Sequence, residues 1–270
     1  YLEDLRGWAE AVQTGREGTE GSAGPRLLTH CKFMRVLWVG PRFVPFPLLA
    51  EDLRELRGHG VVGLDLPLGS TGGWTKLANT YCVAHLCWNS QRDGAALSLD
   101  WFRATYGPAA PRVQKALTEM AAEFPTLDYG IGVTRPDKNC AMAWFHEIHD
   151  PEALLRRGYG PAYAAEATRN LAALSRALKA LPEATGNTPL IARRLELLAE
   201  SLERVRLEQR GVRLYGELAA TLAGAEQSAR AVPDAYGPVL TELAGVVTAM
   251  RAQSARVPTG DFTFWAGNTT

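Results

Sequence analysis

Apolar residues fall at helical spacing along most of the chain and in two short strand-like runs within its first quarter. Leu2, Leu5, Trp8, Ala9 and Val12 predict a helix over 2–13, and the Gly-rich QTGREGTEGSAGP that follows predicts a loop. LLTHCKFM (27–34) has the length and apolar content of a buried strand, although length alone leaves a helix open. RVLWVGPRFVPFP (35–47), with three prolines and one glycine, predicts irregular backbone. LLAEDLREL (48–56) sets Leu48, Leu49, Leu53 and Leu56 on or near one helical face, and Gly58 and Gly60 close it. VVGLDLP (61–67) predicts the next strand, LGSTGGWT (68–75) a loop and KLANTYCVAHLCW (76–88) a helix.

That order is the alternation of a parallel α/β unit. Parallel strands are covered on both faces and need several neighbours. Residues 1–88 are therefore expected to be the terminal βα units of an incomplete (β/α)8-type barrel.

The pattern changes after Asn89. Asp93 is placed to cap a helix over 94–106, Gly107 to end it, and Pro108 and Pro111 bracket a break before VQKALTEMAAEF. Residues 125–145 read as irregular, and Asp150, Pro151 and Glu152 read as a helix start. Long Ala- and Leu-rich helices are predicted over 160–181, 189–224 and 234–254, each with a polar and an apolar side. The fold class expected is α/β followed by all-α, with 89–270 a mainly helical C-terminal domain packed as a bundle.

Composition narrows the function classes. In 270 residues, 29 Lys and Arg balance 29 Asp and Glu, so no net field draws the chain to nucleic acid or an anionic membrane. No apolar run approaches the roughly 20 residues of a membrane span. The opening on Tyr1 rather than Met predicts a processed or truncated piece, and leaves cytoplasmic and secreted locations both open. Cys31, Cys82, Cys87 and Cys140 lack CxxC spacing and are expected as buried free thiols.

If 27–34 and 61–67 are neighbouring barrel strands, the loops after them face the site of the barrel. Those loops hold Arg35, Trp38 and Arg42, then Thr71 and Trp74. The two indoles offer faces for a sugar ring, or equally pack the loops on the rim. Asp65, a carboxylate at the end of an apolar strand, is the candidate catalytic group, with pairing to an arginine the alternative. His30 is a candidate ligand-facing residue of the first strand. Catalytic residues are otherwise not assigned, because glycoside hydrolysis needs two carboxyl groups and only Asp65 is well placed. His146, Glu147 and His149 lack HExxH spacing, so no metal is expected. GxxxxGK[ST] and GxSxG are absent, and no cofactor is expected.

EDLRELRGHGVVGLDLP, followed by LANTYCVAHLCWNSQRDGAALSLDWFRATYGPAAPRVQKAL, resembles a bacterial domain of unknown function, number 4838, found in glycoside-hydrolase-like proteins related to α-glucuronidase and β-hexosaminidase barrels. The likeness rests on Leu86, Trp88 and Asn89, then Asp93, Trp101, Phe102, Tyr106, Gly107, Ala109 and Ala110, with Cys87 before Trp88 a departure. It begins near LRGWAEAV and extends through RRLELLAESLERVRLEQRGVRLYGELA.

The resemblance implies the C-terminal portion of a glycoside hydrolase acting on a poly- or oligosaccharide, with late barrel loops at the sugar site and a helical support domain. It supplies no catalytic residues. The competing expectation is a non-catalytic carbohydrate-binding or scaffolding module. Either one admits a homo-oligomer formed through the helical domain. Trp88, Trp101, Phe102 and Tyr106 are all expected in packing, with Trp88 ending its helix against the base of the next domain.

Overall fold

The computed structural model describes residue 7 and residues 10–12, 27–30, 43–65, 73–123, 160–181, 188–228 and 233–256. Its elements are β1 (Leu27–His30), α1 (Phe46–Gly58), β2 (Val61–Asp65), α2 (Gly73–Trp88), α3 (Gly94–Tyr106), α4 (Ala110–Glu123), α5 (Gly160–Ala180), α6 (Pro189–Ser228) and α7 (Pro233–Arg256), with a 3-10 turn at Gly107–Ala109.

The expected α/β barrel is not what forms. The described residues are mostly helical, and their only strands are β1 and β2, paired in parallel with Leu27 against Val61 and His30 against Asp65. In a barrel both faces of each strand are covered. Here Leu28 and Val62 are exposed instead, and the apolar faces of the neighbouring helices are buried against other helices. The local strand signals of LLTH and VVGLD are real, but they build one ladder rather than a closed sheet.

The helices follow from their apolar spacing. In α1 the residues Phe46, Leu49, Ala50, Leu53 and Leu56 are buried, a repeat of three and four that makes one inward face. In α3 Leu97, Trp101, Phe102 and Tyr106 do the same. In α4 the set is Ala110, Val113, Ala116, Leu117 and Met120.

Both ends of α3 are fixed by local chemistry. Asp93 Oδ1 accepts the Ala95 amide at 2.8 Å, which satisfies one of the donors that the first helical turn leaves open. At the other end Gly107 takes φ 51°, in the left-handed region where a side chain is strained. A third constraint lies at Gly94, where an added Cβ would stand 2.6 Å from the Phe46 carbonyl oxygen. Glycine there lets α3 start directly against the start of α1.

Around this start the aromatic rings interlock. Phe102 stands edge-on to Trp101 at 4.9 Å and to Phe43 at 6.1 Å, and Trp101 packs on Tyr106 at 5.7 Å. Phe43, Phe46, Trp101, Phe102 and Tyr106 all belong to one apolar cluster that also takes in Leu174, Leu195, Leu198 and Leu202. One core therefore runs from α1 and α2, across the junction at residues 88 and 89, to α5 and α6.

Helix α6 is the spine. Its 40 residues extend about 60 Å at the usual helical rise. It packs on α2, α3, α5 and α7, with the α5 contact the most extensive helix pairing among the described residues. Ala167, Ala173 and Ala177 let α5 approach it closely, and Leu195, Leu198, Leu202 and Val205 supply the bulk from α6.

Candidate functional site

Three of the seven sequence-derived candidates, His30, Asp65 and Trp74, fall among the described residues. His30 and Asp65 end their strands as register partners, so the backbone brings them side by side. Trp74 lies in the first turn of α2. Arg35, Trp38, Arg42 and Thr71 lie outside the described residues, as do Cys31, Cys140 and the His146 to Asp150 segment. Of the seven residues proposed for a barrel mouth, the structure joins two, His30 and Asp65, through their backbone pairing.

Chemistry that the sequence did not single out collects at the junction between α2 and α3. Trp88 is 92% exposed, which corrects the expectation that it packs against the next helical layer. The period of α2 explains why. Asn79, Cys82, Val83 and Leu86 form its buried face, and Trp88 stands about 200° round the helix from Leu86. That angle was available in the sequence; the weight given to an apolar side chain hid it.

Behind Trp88 the polar groups are ordered. Tyr81 and His85 stack with ring centroids 4.4 Å apart, and Arg92 Nη1 lies 2.6 Å from His85 Nδ1. A guanidinium only donates, so His85 Nδ1 is the accepting atom of this contact. On the other side of the connection Arg57 Nη1 donates to Ser90 Oγ at 2.8 Å, and Ser90 is buried. Asn89 Oδ1 accepts the Gln91 amide at 3.0 Å, which shapes the turn.

The cysteines divide. Cys82 is buried, and burial pushes its thiol up to about 12, so it stays protonated and unreactive near neutrality. Cys87 is exposed rather than buried, and partial desolvation raises its thiol from the ordinary value.

A second polar group joins α5, α6 and α7. Asn170 Nδ2 donates to Gln209 Oε1 at 3.0 Å inside the α5–α6 contact. Arg204 meets Glu208 at 3.1 Å, with side chains only 7% and 11% exposed, and also donates to the Met250 carbonyl at 3.2 Å. Glu242 of α7 accepts from Arg210 at 2.9 Å and Arg213 at 3.0 Å. The Arg210 hydrogen bond, ahead of the other arginine contacts, holds the Glu242 carboxyl below its usual range. These pairs fix helix positions. Among the described residues, no group of three His, Cys, Asp or Glu is placed to hold a metal ion.

No family model, curated protein or solved structure matches this chain. No helix among the described residues is long and apolar enough to cross a membrane.

Proposed function

We propose that this chain is a non-catalytic support module serving a carbohydrate-acting protein. The observation that carries the reading is the fate of the segment that resembles the glycoside-hydrolase-associated domain. Residues 76–117 fold into α2, α3 and the first part of α4. Their aromatic side chains Trp101, Phe102 and Tyr106 fill the core, while Trp88 faces solvent. That is the organisation of a rigid support with one presented aromatic group.

The α6 spine supports the same reading. Arg194 Nη1 donates to the Ala104 and Thr105 carbonyls at 3.1 and 3.0 Å, tying the spine to the last turn of α3. A cation there also meets the negative end of the α3 dipole. The glycoside-hydrolase reading relied on late barrel loops, whereas the described residues form one two-stranded ladder and no barrel.

The test is turnover. The folded chain, incubated with neutral and acidic oligosaccharides, should release no new reducing ends over hours. Steady release that is abolished in the Asp65→Asn variant would overturn the proposal and restore the catalytic reading.

A further inference from the structure

Helix α2 is apolar on two sides. One side carries Ala78, Cys82, Val83 and Leu86 into the core. On the other, Leu77, Tyr81, Ala84 and Trp88 recur at intervals of four, three and four residues, which sets them within an arc of about 60° in a row about 17 Å long. Trp88 is 92% and Leu77 50% exposed, Ala84 is exposed, and Tyr81 is half-buried beside Phe46 and His85. No Lys, Arg, Asp or Glu occurs from Leu77 to Gln91. Other helices differ: α1 faces solvent with Glu51, Arg54 and Glu55, and α4 with Arg112, Lys115 and Glu119. An exposed apolar row at coiled-coil spacing on an uncharged face is a surface for another helix.

The spacing identifies that helix. Intervals of four, three and four read the same from either end, so a second copy of α2 laid antiparallel meets the row in register about a midpoint between Cys82 and Val83. Leu77 of one copy then faces Trp88 of the other, and Tyr81 faces Ala84. Each level joins a larger side chain to a smaller one, which lets the two rows interdigitate. A parallel pairing would set Trp88 on Trp88 and leave a gap between the two Ala84 residues. The antiparallel order also places the positive end of each helix beside the negative end of the other. Burying both Trp88 rings removes about 300–500 Å², and Leu77, Tyr81 and Ala84 of the two copies extend this toward the roughly 1,200 Å² at which specific interfaces begin. A contact of that size forms and breaks readily.

We propose that α2 is a homodimer contact, in which Leu77, Tyr81, Ala84 and Trp88 pair antiparallel with the same residues of a second copy. The contact does not depend on the carbohydrate reading and holds or fails apart from it. Sedimentation velocity of the whole chain at rising concentration should show a reversible monomer–dimer equilibrium that high salt does not weaken. Trp88→Glu and Leu77→Lys each alter an exposed side chain, and each alone should weaken the dimer at least tenfold while the far-ultraviolet circular dichroism stays unchanged. An equimolar mixture of the two variants should regain a dimer, because the antiparallel register sets the new cation against the new anion.

A chain that stays monomeric up to its solubility limit overturns the proposal, and one that then co-sediments with phosphatidylcholine vesicles gives the face to a lipid surface instead. A dimer that either single variant leaves undisturbed lies elsewhere on the molecule and overturns it as well. A mixture that remains monomeric refutes the antiparallel pairing.

Discussion

The helices α1 to α4 and the helices α5 to α7 are held by different means. In the first group the contacts are mainly apolar and aromatic: Phe43, Phe46, Trp101, Phe102 and Tyr106 meet in tilted and edge-on pairs, with Asn79 accepting the Val44 amide beside them. In the second, small alanines and leucines share the interfaces with polar contacts between helices, Asn170 with Gln209 and Arg204 with the Met250 carbonyl. Aromatic burial supplies most of the stabilisation without fixing direction, since it scales with area. Polar pairs inside a helix contact add little net stability but penalise every register in which they are unmatched. The long, repetitive α5–α6 contact needs that penalty more than the irregular aromatic cluster does.

The largest effect should come from the aromatic group. Phe102→Ala removes a fully buried ring at the centre of the cluster and should cost about 3–5 kcal/mol, read as a lowered denaturation midpoint. A loss under about 1 kcal/mol would show that the ring does not anchor the core. Arg204→Met should rank close behind. It leaves the Glu208 carboxylate largely buried without its cation, a change that typically costs about 3–5 kcal/mol. Adding Glu208→Leu should recover most of that loss, and a double variant no better than the single one would place the effect outside the pair.

A smaller effect belongs to the junction. Asp93→Ala should cost about 1 kcal/mol through the lost cap on Ala95, and Asp93→Asn or Asp93→Ser should restore it. The smallest concerns α7, which Glu242 helps tie to α6. The Glu242 carboxyl is held low in the folded chain, so its contribution is present above the ordinary Glu range of about 4 and is lost as pH falls through the lowered value. It is part-exposed, so at most about 1 kcal/mol is at stake. Hydrogen exchange in α7 should quicken on acidification, and Glu242→Gln should give that faster exchange already at neutral pH.

Much of the helical architecture was legible. The 94–106 helix was readable to the residue because its cap, Asp93, and its stop, Gly107, are both local signals. The 160–181 and 189–224 predictions likewise follow a period that one segment carries by itself, although α6 runs on to Ser228. The barrel was not legible. A strand signal such as VVGLD reports that a segment can pair, whereas the number of partners is set by what the rest of the chain offers. The candidate site rested on the same sheet, since Trp38, Thr71 and Trp74 were linked to His30 and Asp65 only through it, and Trp38 and Thr71 lie outside the described residues. The Arg57 contact with Ser90 joins residues 33 apart, and no spacing rule announces it.

The central claim is that one core, crossing residues 88 and 89, joins α1–α4 to α5 and α6. Native-state hydrogen exchange measures this directly. The slowest amides of Leu97–Phe102 in α3 and Leu195–Leu202 in α6 should open with a common free energy, and Phe102→Ala should lower both by the same amount. Two separate values, with only the α3 value moved by Phe102→Ala, would contradict the account.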